Sequence, residues 1–438
     1  MTEKTYRISQ IRFKNYKNFK DEQVLDFKTN NRFTNTYEPD LVEWSSTKKD
    51  YYNPIIAILG ANASGKSNLV ELFFRYKNFI IDAFTLDLNN ESGRDSFDSF
   101  DTFNDIDKTL IFEIDYETEM LDFTHNIYTE FDRKLNKFFV REKIQLNRVK
   151  KFPDMSGVVI WDFDEREYNS NLSQVKFFIT KQMMVEFLNE QKPKEELKNV
   201  ESLDEVIASE VFNVLTSMVK NTLVSNQTTL DSSSIDKINE SINQLIFSGV
   251  PLNKVEEIVN YAASTVDASI EKISLKEVKK GIDTFYILDN TKLKNNDKVS
   301  FYAGTILSNG TINFIDHILS TVLVKNADDR KMHTYIFMDE LGATWHSGLT
   351  KAYIKMFQMG IIEDSTIIFT SHQPEVVDDI RRDGVYIINK SSQFKKVTEY
   401  KFRNEMKLSK NYSSQNLDPF DAFPDLSGIA NLVEVFDE

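Results

Sequence analysis

The chain has 438 residues, 41% hydrophobic and 28% charged, with a formal net charge of -15; this is folded-protein composition, sufficient for two or three domains or one large domain carrying an insertion. The absence of cysteine excludes disulfides and thiolate metal sites, and the five histidines (125, 317, 333, 346, 372) lack zinc-enzyme spacing. The acidic balance argues against a generic nucleic-acid coat but leaves room for a local basic groove. The start carries no apolar signal core and no window approaches about 18 uninterrupted apolar residues, so the expected compartment is the cytosol and no membrane partner is expected.

YRISQIRFKNYKNF (6–19) alternates apolar and polar residues and runs into FKDEQVLDF (19–27), which predicts a hairpin. Residues 28–53 are polar and irregular, as a surface insertion would be. PIIAILG (54–60) predicts a buried strand, and 65–84 a helix with Leu69, Leu72, Phe73, Phe79 and Ile80 on one broad face. Residues 85–107, rich in Ser, Asp, Asn and Phe, predict a long acidic loop. The alternations between 108 and 162 predict an antiparallel meander. Residues 170–282 look mostly helical, and DTFYILD (283–289) looks like a strand.

In the last third, LSNGT (307–311) precedes an amphipathic helix carrying Ile312, Ile315, Ile318, Leu319 and Val322. YIFMDE (335–340), STIIFTSH (365–372) and GVYIINK (384–390) predict strands, separated by a helix over 348–360 and a short one at PEVVDDIR. Strands alternating with helices predict an α/β fold whose parallel sheet is covered on both faces.

GANASGKS (60–67) fits the phosphate-loop pattern and has the required context, a strand before it and a helix after it. Gly60, Asn62, Ala63, Ser64 and Gly65 form the loop, and Lys66, Ser67 and Asn68 open the helix. Backbone N–H groups and the helix N-terminus would cradle phosphate oxygens. Lys66 would reach the β- and γ-phosphates of ATP, and the Ser67 hydroxyl would ligate Mg²⁺. The adjacent acids at the end of YIFMDE complete the chemistry: Asp339 is the candidate metal ligand and Glu340 the candidate that activates the attacking water. His372, at the tip of the next strand, can donate to a γ-phosphate; taken alone, with Pro374 starting a helix beyond it, it reads rather as a capping or turn histidine. Ser308 can cap its helix, whose N-terminus favours an anion.

The order of these motifs resembles the ABC-type P-loop ATPase head. ILGANASGKSNLVEL, LSNGT, FMDELGATWHSGL, IIFTSHQPEVVD and the early IRFKNYKNFKD together resemble ATPases related to the SMC, RecF and OLD heads. The subgroup resembled is that of bacterial phage-defence operons (PARIS-like). The resemblance covers roughly 1–80 and 300–400. It implies an ATP sandwich, in which two heads clamp nucleotides between the phosphate loop of one and Ser308 and Gly310 of the other. It also implies an adenine site near Arg12, Lys14 and Tyr16, and gives His346 either a family role after the acidic pair or a plain helix cap. The family's metal-sensing glutamine has no clear counterpart after the phosphate-loop helix, and Glu113 or Gln145 is the candidate stand-in. Gly342 occupies the place where relatives put an Asp that crosses to the partner head, a departure bearing on coupling and hydrolysis rate. The 66 residues after His372 are too few for an OLD-type nuclease domain.

The resulting layout is a split ATPase head (1–84 and 300–400) with an antiparallel β-rich subdomain and acidic loop (85–165). A largely helical insertion for recognition or assembly (166–299) and an acidic tail (401–438) complete it. The tail segment 416–438 reads as a docking peptide or as a final helix packed on its own domain. The expected function is an ATP-hydrolysing, Mg²⁺-dependent homo-oligomer that regulates a separate effector, a toxin or nuclease, in phage defence, with a phage protein as a trigger. A RecF- or SMC-like DNA-binding repair ATPase is the alternative. A transporter ATPase fits poorly, because the phosphate loop lies so far from LSNGT.

Overall fold

The computed structural model describes residues 6–29, 43–44, 51–61, 63–85, 103–164, 166, 201–226, 234–268, 270–278, 281–288, 301–302, 308–326, 333–362, 364–389, 391–400 and 407–414. The tail 416–438, most of the acidic loop, and Asn62 lie outside this set.

Strands β1 (Tyr6–Lys14) and β2 (Gln23–Asp26) form the expected hairpin. The short strands β3 (Glu43–Trp44) and β4 (Tyr51–Tyr52) pair with each other, and β5 (Ile55–Leu59) leads into helix α1 (Lys66–Thr85). The meander follows as β6 (Leu110–Thr118), β7 (Leu121–Asp132), β8 (Lys137–Val149) and β9 (Val159–Asp164). Next come α2 (Glu201–Lys220), β10 (Thr222–Asn226), α3 (Ser234–Phe247), α4 (Leu252–Val266), β11 (Ile270–Val278), β12 (Gly281–Leu288) and β13 (Phe301–Tyr302). The chain continues through α5 (Asn309–Asn326), β14 (Thr334–Asp339), α6 (Ser347–Gln358), β15 (Ser365–Ser371), β16 (Val385–Ile388), β17 (Phe394–Lys396) and α7 (Leu408–Ser413).

The core sheet runs β10-β14-β15-β5-β16-β17 and is parallel except for the β16–β17 pair. Every residue of β5, β14, β15 and β16 is buried, as both-faced coverage demands. Their alternating side chains feed two cores. Ile56, Ile58, Tyr335, Phe337 and Ile368 pack with α1, α2 and the antiparallel sheet. Ile55, Ala57, Ile336, Met338 and Phe369 pack with α3, α4, α5 and α6. The phosphate-loop helix is seated by this arrangement, with Phe73 stacked on Phe337 at 3.7 Å between ring centroids.

The antiparallel meander forms as expected, β6-β7-β8-β9, and β6 also pairs along the length of β1, giving one sheet in the order β2-β1-β6-β7-β8-β9. A nine-residue amphipathic strand has two edges to satisfy, and β2 covers only part of one. The Ile8 N–H also donates to the Tyr335 hydroxyl at 2.5 Å, tying this sheet to the core sheet. Among its described residues the stretch 170–282 is mostly helical, in α2, α3 and α4, but it also contains two strands that its periodicity does not announce. It places β10 in the core sheet against β14, and β11 in a hairpin with β12. PEVVDDIR holds a single 3-10 turn, Pro374–Val377. Among the described residues no helix is long and apolar enough to cross a membrane.

Candidate active site

Between β5 and α1 the chain turns so tightly that side chains are excluded at both glycines. A Cβ on Gly60 would lie 2.4 Å from Ser64 Oγ. Gly65 has φ +101°, and a Cβ there would lie 2.3 Å from the Asn18 side chain. Ala63 also takes a positive φ, 61°. The loop is braced from the β1–β2 turn, where the Asn18 amide donates to the Ser64 carbonyl and its oxygen accepts from Asn68, both at 2.6 Å. Lys17 pairs with Glu71 one helical turn further on. The first N–H groups of α1 have no partner within the helix, so this end favours an anion.

The Lys66 side chain is 3% exposed, and its ammonium donates to the carbonyls of Gly60 and Ala61, both at 2.7 Å. Burial draws its pKa down to about 8, against the opposing pull of Glu340 and then Asp339. Both acids are therefore within electrostatic reach of the lysine. Topology explains this, because β14, β15 and β5 are parallel neighbours and end at one edge of the sheet, where ligands of such sheets bind.

Asp339 is fully buried. Its Oδ1 accepts from the Thr370 hydroxyl at 2.6 Å, and its Oδ2 makes no hydrogen bond. A buried carboxylate oxygen without a partner is costly and marks a place for a cation. Among the described residues no group of three His, Asp or Glu side chains forms a metal site by itself. Glu340 turns out of the strand at φ +52°, with its N–H donating to Thr370 Oγ1 at 2.7 Å. Its side chain is partly exposed and meets His372 Nε2 at 3.2 Å. His372 thus lies beside Glu340.

Gly342 has φ +81°, and a Cβ there would fall 2.2 Å from Thr350 Oγ1. A side chain at this position would be strained by the backbone and would force the Thr350 side chain to shift. The next strand holds the turn further: Leu341 N–H donates to the Thr370 carbonyl at 2.8 Å, and the Gln373 amide to the Gly342 carbonyl at 2.8 Å.

Ser308 caps α5 as expected, its Oγ accepting from the Thr311 N–H at 3.1 Å. A Cβ on Gly310 would lie 2.5 Å from the Thr344 carbonyl, so α5 starts directly against the loop that follows the acidic turn. Among the described residues no hydrogen bond joins Ser308 or Gly310 to the loop 60–68 of the same chain.

Several expected roles are displaced. Tyr16 is fully buried in the core, so its ring is not available to an adenine. Arg12 is committed to Glu113 at 2.8 Å and Asp115 at 2.9 Å. Lys14 is half-buried at the end of β1. Glu113 is held in the antiparallel sheet by Arg12 and Tyr128, and Gln145 lies in the β7–β8 ladder opposite Thr124. His346 is the N-cap of α6, accepting from the Gly348 N–H at 3.2 Å. The residues not anticipated are Asn18, Thr370 and Gln373. The only trace of them in the sequence is the pair of asparagines flanking the tight FKNYKNF turn and the Thr-Ser before His372.

Strand β5, the glycine loop and α1, with the acid-tipped β14 one strand away across β15, form a P-loop arrangement in an α/β fold. Two solved structures are similar in backbone. One is an SMC head bound to the C-winged helix domain of ScpA, at TM-score 0.42 and 11% identity, covering 89% of this chain and 96% of that chain. The other is the SMC head domain from Thermotoga maritima, at TM-score 0.34 and 11% identity, covering 87% and 95%. No curated protein matches in sequence. The family described as "AAA domain, putative AbiEii toxin, Type IV TA system" matches residues 55–378, which span the glycine loop, the start of α5, the acidic turn and the tip of β15, and the chain belongs to this family.

Proposed function

We propose that this protein binds ATP with Mg²⁺ and hydrolyses it, and that it works as a cytoplasmic homo-oligomer controlling a separate effector. The observation that carries the first part is the unpartnered, fully buried Asp339 Oδ2 within electrostatic reach of Lys66. Gly60 through Asn68 would hold the phosphates, and Ser67 and Asp339 would hold the metal, with phosphate oxygens filling further positions. Mg²⁺, when bound, neutralises charge on the phosphate oxygens. Lys66 would leave the carbonyls of Gly60 and Ala61 and turn its ammonium to the phosphates. Glu340 would orient or deprotonate the attacking water, and His372 would steady Glu340 and donate toward the γ-phosphate. The head is assigned to 1–84 and 300–400, with β10 (Thr222–Asn226) completing its core sheet, and the recognition or assembly surface to the rest of 166–299.

Ser308 and Gly310 have their partners within α5 and its adjoining loop, which supports a role toward the nucleotide of a second head. The family description names a type IV toxin–antitoxin system, which supports a defence setting; a separate toxin or nuclease as effector and a phage protein as trigger are the further parts of this proposal. Lys66→Ala is expected to abolish nucleotide binding. Glu340→Gln is expected to keep binding while slowing hydrolysis about 10²–10⁴-fold, the range for a lost general base. Single-turnover hydrolysis and equilibrium binding of labelled ATP check both, and normal turnover in Glu340→Gln would refute the assignment.

A further inference from the structure

The acidic turn is held from β15, and one side chain there touches both acids. Thr370 is fully buried, and its hydroxyl has a single proton with room to accept as well. The Glu340 N–H can only donate, so at that contact, 2.7 Å, the hydroxyl accepts. Its proton is thereby left for Asp339 Oδ1, 2.6 Å away. The direction of both bonds is fixed by chemistry rather than by choice.

Two consequences follow at the site. The bond to Asp339 occupies one of its oxygens and fixes the rotation of the carboxylate, so that Oδ2 is the oxygen left unpartnered. The bond from the Glu340 N–H holds that backbone at φ +52°, a left-handed conformation unfavourable for a non-glycine residue. The neighbours of Thr370 act elsewhere: Ser371 reaches the Leu341 carbonyl at 3.3 Å and Gln373 the Gly342 carbonyl at 2.8 Å, both beyond the acids.

We infer that Thr370 is a positioning residue for hydrolysis, its one hydroxyl setting both which oxygen Asp339 presents and where Glu340 points. This rests on the ATP-hydrolysis reading above. It differs from a core hydroxyl that is merely satisfied, because its loss should alter chemistry and metal dependence more than nucleotide affinity without metal.

The test compares wild type, Thr370→Val and Thr370→Ser. For each, kcat and KM for ATP are measured, with the affinity for a fluorescent ATP analogue in Mg²⁺ and in EDTA, and a melting curve to follow folding. Thr370→Val is expected to lose about 10–100-fold in kcat, the size of one or two buried hydrogen bonds expressed as rate. KM and the affinity in EDTA should move much less, and the gain in affinity on adding Mg²⁺ should shrink. Thr370→Ser, which keeps the hydroxyl, should restore both readouts. Wild-type kcat and a wild-type Mg²⁺ gain in Thr370→Val would overturn the inference, as would a Thr370→Ser as impaired as Thr370→Val. If Thr370→Val does not fold, Thr370→Cys takes its place, since a thiol is a weak donor and acceptor, and equal activity of the Cys and Ser variants overturns the inference. Wild type without ATP binding or turnover overturns the parent reading. Turnover that Glu340→Gln abolishes and Thr370→Val leaves intact overturns only the role of Thr370.

Discussion

At Lys66 the ammonium is buried against two backbone carbonyls and its pKa is drawn down to about 8. In the unfolded chain it returns to 10.5, so between about 8 and 10.5 the unfolded state binds more protons and stability rises with pH. Below 8 both states are protonated and the cost of the buried charge is present in full. Lys66→Met should therefore melt above wild type at pH 7, with the gap closing toward pH 10, as calorimetry across that range would show. Conversely, ATP affinity should fall as pH rises through 8, because phosphate binding needs the protonated lysine. Gly342 makes a second case at this scale. Gly342→Ala combines a left-handed backbone with a Cβ 2.2 Å from Thr350 Oγ1, and is expected to cost about 2–4 kcal/mol. Urea unfolding of Gly342→Ala and of Gly342→Ala with Thr350→Ala separates the two parts, the double variant recovering the steric share. The glycine loop and the acidic pair were legible because each is contiguous and its chemistry is local. Asn18 and Thr370 were not, because each acts on a partner 46 or 30–31 residues away that no local pattern connects to it.

Between elements, the phosphate-loop helix is coupled to the antiparallel sheet by a buried polar chain. Tyr76 of α1 meets Tyr116 at 2.9 Å and His125 Nδ1 at 2.7 Å. His125 Nε2 meets Glu142 at 2.7 Å, and the other oxygen of Glu142 accepts from the Trp161 indole at 2.9 Å. These residues come from α1, β6, β7, β8 and β9, so one carboxylate on β8 serves donors on the two flanking strands, toward the β9 end of the sheet. Glu142→Ala strands both donors in a dry interior and should cost about 3–5 kcal/mol. Glu142→Gln, which keeps an acceptor, should cost clearly less, and equal denaturation midpoints for Ala and wild type would show the chain to be dispensable. The elements themselves were read well where period and length agree, as in β5, α1, β14 and β15. They were misread at β10 and β11. TLVSN is five residues long and follows a helix with only one residue between, and IEKISLKEV spaces its apolar residues ambiguously between the two periods. Pairing with β14 and β12 decides both, and pairing is not a local property.

Across the whole molecule, segments far apart in sequence build one edge of one sheet, and the region between them is not a detachable insert. It supplies β10 to the core sheet and α3, α4 and β11 to the second hydrophobic core. That integration was hidden in the sequence, where the interval reads as a separate helical block. It has a consequence for regulation: a partner bound to 166–299 would press on elements that pack against α5, the helix that Ser308 caps. If α5 faces a second head, nucleotide and partner act on the same helix. The expected outcome is that ATP drives pairing of the Glu340→Gln protein, which holds the nucleotide without consuming it. Ser308→Arg should block this pairing by placing a bulky cation at the exposed start of α5, while each monomer still binds ATP with wild-type affinity. Sedimentation velocity with ATP and with ADP, run on Glu340→Gln and on Glu340→Gln with Ser308→Arg, checks this. A species that stays monomeric at saturating ATP in the single variant would remove the paired-head reading. A dimer that survives Ser308→Arg would show that the heads join through another surface.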